Sequence, residues 1–184
     1  MYKNILSNFL SFAILISSPT FANSAHAQQQ NVDAAPKAHS TESTGNYDID
    51  LGQIYGAISS ARLRENICSR NFPELSSKLR EVHLEWRNKN LSFIQDIEKR
   101  FQERLWVSVG DNKKEFLLLR KQLADDEMQY EEGLEEIMRG QGGDELKYEC
   151  DNFDMFLASD VLDLESFFAE QLAVVRKGPP KNSK

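Results

Sequence analysis

Apolar side chains recur at steps of three and four from Asp48 to Lys177, in four blocks separated by turn-forming residues. Such spacing returns to one face of an α-helix and does not match the alternation of a half-buried strand. The chain is thereby restricted to helices that each bury one stripe. Block one, roughly Asp48 to Arg70, carries Leu51, Ile54, Ile58, Ala61 and Cys68, followed by Phe72. Block two opens at Pro73, which suits a first helical turn because no N–H is needed there. Its stripe is Leu75, Leu79, Val82, Trp86, Phe93, Ile97, Phe101 and Leu105, ended by Ser108-Val109-Gly110, after which Asp111 or Asn112 can cap the next helix.

Block three runs from about Asn112 to Arg139 with Phe116, Leu119, Leu123, Tyr130, Leu134 and Ile137, and Gly140-Gln141-Gly142-Gly143 stops it. Block four, Asp144 to Lys177, has the cleanest pattern: Leu146, Cys150, Phe153, Leu157, Val161, Leu164, Phe168, Leu172 and Val175. With no glycine or proline inside, it reads as one helix about 50 Å long at ~1.5 Å per residue. Composition agrees, since no threonine follows Thr44 and Leu, Glu, Lys, Arg and Gln dominate the core region. Short connections favour antiparallel neighbours, so residues 47–177 are expected to form an all-α, antiparallel up-down-up-down four-helix bundle.

The segments outside this domain read differently. Lys3, a mainly apolar run from Ile5 to Ile16, Pro19 and the small-x-small triplet Ala25-His26-Ala27 follow the order of a secretory signal. Cleavage is expected after Ala27, with Ala22 and Ala25 as alternatives, and the apolar run is too short to span a bilayer. Residues 28–46 contain almost no large apolar side chain and are expected to be a disordered tail. A second short tail follows at 178–184, opened by Gly178-Pro179-Pro180.

An exported chain meets oxidising conditions, and Cys68 and Cys150 are its two cysteines, so they are expected to form a disulfide. In the bundle topology both positions fall near one end, where a crosslink would staple the first helix to the fourth. Catalytic thiol chemistry is disfavoured, because Glu149, Asp151 and Asp154 surround Cys150 with negative charge.

The net charge of −7 and pI near 5.1 argue against nucleic acid as a partner, which would require clustered Lys and Arg. Removal of the signal takes Lys3 and no acid, leaving the mature chain more acidic still. With His39 and His83 as the histidines beyond the signal, no His-rich metal site, cofactor or catalytic pair is expected.

Three surfaces remain as candidates. The stripes of blocks two and three break at Lys89, Asn90, Asp126 and Glu127, which should meet across the hairpin as a polar layer or, with Trp86, as a small-molecule pocket. Acidic residues concentrate in blocks three and four, where Glu127, Glu131 and Glu135 recur at i, i+4 and could attract a basic protein. Phe156 and Phe167, with Met155, widen the apolar sector of block four and could serve a partner helix.

Cys68, Phe72-Pro73-Glu74-Leu75 and Trp86-Arg87-Asn88-Lys89-Asn90 together resemble a pattern found in small exported helical proteins of Gram-negative bacteria. The resemblance covers about 25 residues and implies a periplasmic helical domain without catalytic residues. Two readings of function follow: a non-enzymatic exported interaction module, acting as adaptor, chaperone or inhibitor, or a small-molecule-binding bundle with its site near Trp86, Asn90 and Asp126.

Overall fold

The computed structural model describes residues 42–140, 144–159 and 163–180, and among these there is helix and no strand. The expected signal over 1–27, most of the 28–46 tail, Gly142, Gly143, Val161 and residues 181–184 lie outside the described residues. Helix α1 spans Tyr47–Asn71. Asn46 caps it, its side-chain oxygen accepting from the backbone N–H of Asp48 at 2.9 Å and of Ile49 at 3.3 Å. Phe72, held extended by the proline that follows, ends it.

A single 3₁₀ turn, Pro73–Leu75, leads into α2, Ser76–Lys89, and α3, Leu91–Ser108. Asn90 divides what the periodicity predicts as one helix; its side-chain amide donates to the Trp86 carbonyl at 2.9 Å, an alternative partner at that turn. Gly110 and Asp111 both take positive φ in the next turn, and Asn112 caps α4, Lys113–Arg139.

Block four departs most from expectation. In place of one helix there are α5, Glu145–Asp151, α6, Phe153–Leu157, α7, Leu164–Phe167, and α8, Ala169–Lys177. Asn152 donates to the Tyr148 carbonyl at 2.7 Å and Ser159 to that of Phe156 at 2.6 Å, so short polar side chains compete for the carbonyls that a continuous helix would use. The stripe survives the breaks: Leu146, Cys150, Phe153, Leu157, Leu164, Phe168, Leu172 and Val175 are all buried.

Helix α1 is the hub, packing against α2, α3, α4, α5 and α8. Its sequence explains this, because Gly52, Ala57, Ser60 and Ala61 are buried alongside Leu51, Ile54, Ile58, Leu63 and Ile67. Small residues around the circumference let neighbours approach from several sides. Residues 42–46, within the segment expected as a tail, fold back on the first turns of α1. The fully buried Asp50 carboxylate accepts from Ser43 Oγ at 2.6 Å, Thr44 N at 2.9 Å and Thr44 Oγ1 at 2.8 Å.

Cys68 and Cys150 are joined in a disulfide with Cα atoms 5.4 Å apart, linking the last turns of α1 to α5 across 82 residues of chain. One stripe position is misassigned by the periodicity: Ile137 is 50% exposed, and Met138 beside it, 1% exposed, fills the core. Among the described residues no helix is long and apolar enough to cross a membrane.

Candidate functional site

The acidic row on α4 is held within the molecule. Glu127 pairs with Arg62 of α1, Glu131 and Glu135 both pair with Arg70, and Glu135 also accepts from Asn71 and Arg139. The three glutamates therefore line the side of α4 turned toward α1, which corrects their expected role as a partner face. Burial raises the pKa of Glu135, and hydrogen bonds from Arg70, Arg139 and Asn71 outweigh it, so its carboxyl is held down at about 2.

Among the described residues no hydrogen bond or ion pair joins Lys89 or Asn90 to Asp126 or Glu127, the members of the expected polar layer. Asn90 turns back to Trp86, Glu127 goes to α1, and Trp86 is buried in the core beside His83, with ring centroids 5.8 Å apart. Lys89 is exposed at the end of α2 and Asp126 half-buried on α4. His83 Nδ1 lies 2.6 Å from a Glu65 oxygen. Phe156 is half-buried under the Arg64 guanidinium, 4.5 Å from its ring centroid, while Arg64 pairs with Glu149. Phe167 is half-buried and meets Phe168 edge to face at 5.0 Å. Both aromatics thus serve internal packing, and among the described residues α5–α8 offer Met155 and Tyr148 as their exposed large hydrophobic side chains.

A cleft of about 210 Å³ lies where α1, α3 and α4 meet. Gly52 and Gly56 on α1 form its floor, Tyr55, Phe101 and Tyr130 its aromatic walls, and Arg120 and Glu127 its charged rim. Tyr55 stacks on Phe101 with centroids 3.9 Å apart and planes 6° from parallel. Burial, then the Glu127 carboxylate, push the Tyr55 phenol above its ordinary pKa, and burial does the same for Tyr130. Both remain neutral hydroxyls at physiological pH. A site here was legible in one feature alone, two glycines a helical turn apart inside block one.

The outer side of α4 is a second surface. Leu117, Leu118 and Met128 are 57%, 59% and 63% exposed. At 100° per residue they share one strip with Lys121, Asp125, Glu132 and Glu136, all exposed. None of the residues from Lys113 to Gly133 is fully buried, so the first three quarters of α4 rest lightly on the core. Among the described residues no group of three or more His, Cys, Asp or Glu side chains is gathered to hold a metal ion. No family model, curated protein or solved structure matches this chain.

Proposed function

We propose that this chain is an exported, non-enzymatic interaction module, and that it engages a protein partner through the outer strip of α4. The observation that carries the reading is the trio Leu117, Leu118 and Met128, exposed on a helix whose inward carboxylates are already paired. An exposed apolar row of this kind marks interaction surfaces. Asp125, Glu132 and Glu136 on the same strip keep a negative field beside it, which suits an amphipathic segment carrying Lys or Arg. The disulfide supports an oxidising compartment.

The up-down-up-down arrangement is part of this proposal. Pairs Glu65–His83 and Asp48–Arg104 support α2 and α3 running against α1. Arg62–Glu127 and Arg70–Glu135 support α4 running alongside it. Cys68–Cys150 and Gln53–Gln171 support a return path for α5–α8.

The test is capture from an extract of the exported fraction by the immobilised, disulfide-bonded chain over a salt series. The same partner should be lost at high salt, lost with Leu117→Ser/Leu118→Ser, and weakened with Glu132→Gln/Glu136→Gln. Capture that neither double substitution alters would overturn the reading.

A further inference from the structure

We infer that the cleft between α1, α3 and α4 is a binding site for a small amphipathic anion, an apolar body carrying one carboxylate, independent of the α4 strip. The floor supports it first. A Cβ built at Gly56 meets nothing within 4 Å, so the chain keeps a helix-weakening residue where any larger side chain would reach into the open space. The walls set the body of the ligand: Leu63, Leu105, Leu123 and the stacked Tyr55–Phe101 pair offer apolar and aromatic contact. A volume of about 210 Å³ suits one short alkyl chain or a substituted ring.

Charge sets the head group. Glu127 is neutralised by Arg62, whereas Arg120, about two turns earlier on the same face of α4, has no ion pair among the described residues. The cleft mouth therefore carries an uncompensated positive charge on a chain whose net charge is −7. A guanidinium takes a carboxylate through two parallel hydrogen bonds. The tyrosine hydroxyls are neutral at physiological pH and do not repel an anion.

The experiment is calorimetric titration of the full disulfide-bonded chain with octanoate, octan-1-ol and octylamine. Octanoate is expected to bind saturably at one site, with octan-1-ol and octylamine each at least about tenfold weaker. Arg120→Gln should weaken octanoate about tenfold and leave octan-1-ol unchanged. Gly56→Leu should abolish binding of both, by filling the floor. Ala124→Leu, at an exposed position on the α4 wall, closes the same space from the other side and should do likewise with the fold intact. Non-saturable binding of octanoate to the unaltered chain, octylamine binding as tightly as octanoate, or full binding in the Ala124→Leu chain would each overturn the assignment.

Discussion

Arg70, in the last turn of α1, and Glu135, in the last third of α4, form an ion pair that joins two helices not adjacent in sequence. The same guanidinium also holds Glu131, and Glu135 collects further hydrogen bonds from Asn71 and Arg139. This cluster fixes how far α4 is advanced along α1, at a level where Leu134 and Met138 enter the core.

The pair makes stability depend on acid. Glu135 has a folded-state pKa of about 2 against an ordinary value of 4.5, so its contribution is present in full above about pH 4.5 and is lost as the pH falls toward 2. Urea midpoints measured from pH 7 to pH 2.5 should decline over that window, and Glu135→Gln should flatten the decline. At pH 7 the substitution is expected to cost about 1 kcal/mol, since Arg70 itself is half exposed.

Reduction of the disulfide should cost up to about 4.5 kcal/mol, the chain-entropy value for a closed loop of this length. Guanidinium unfolding with and without a reductant reads this directly. Cys68→Ala/Cys150→Ala should reproduce the reduced curve, and an unchanged midpoint would show that the staple adds nothing.

Neighbouring positions near the end of α4 should respond unequally to truncation. Met138→Ala removes a side chain that is 1% exposed and should cost about 2–4 kcal/mol, while Ile137→Ala at 50% exposure should cost under about 1 kcal/mol. Thermal unfolding of the two variants side by side checks the register of α4 against α1.

Asp50 anchors the segment that precedes α1. Asp50→Ala leaves the Ser43 and Thr44 donors without their acceptor and is expected to cost about 1–3 kcal/mol. Hydrogen exchange should show Thr44 N–H losing protection, while amides in the middle of α1 keep theirs.

Most of the buried stripe could be read directly from spacing, because burial follows the direction of side chains whether or not the backbone is continuous. Block four shows this, with its described stripe positions inside the core although the helix is interrupted at Asn152, Ser159 and Phe168. The breaks at Asn152 and Ser159 were hidden, because these side chains interrupt a helix when they turn back to the carbonyl four or three residues earlier, and spacing does not show which way they turn. The fate of Glu127, Glu131 and Glu135 was hidden for another reason, since a carboxylate row reads alike whether it faces water or a cation. Its partners did leave a trace: Arg62 and Arg70 lie about two turns apart on α1, matching the separation of Glu127 and Glu135 on α4. The cleft leaves no mark in the apolar periodicity, which reports side chains that are present, whereas Gly52 and Gly56 act by having none.

The central position of α1 has a bearing on when this domain comes into existence. Gln171, wholly buried in the first turn of α8, reaches back to Gln53 of α1 and to the Glu42 carbonyl, so the first long helix is covered by a segment more than a hundred residues later in the chain. Until the nine residues of α8 pack, α1 keeps one side uncovered. Contacts so distant in sequence form slowly, so completion of the core is expected to wait on the docking of α8.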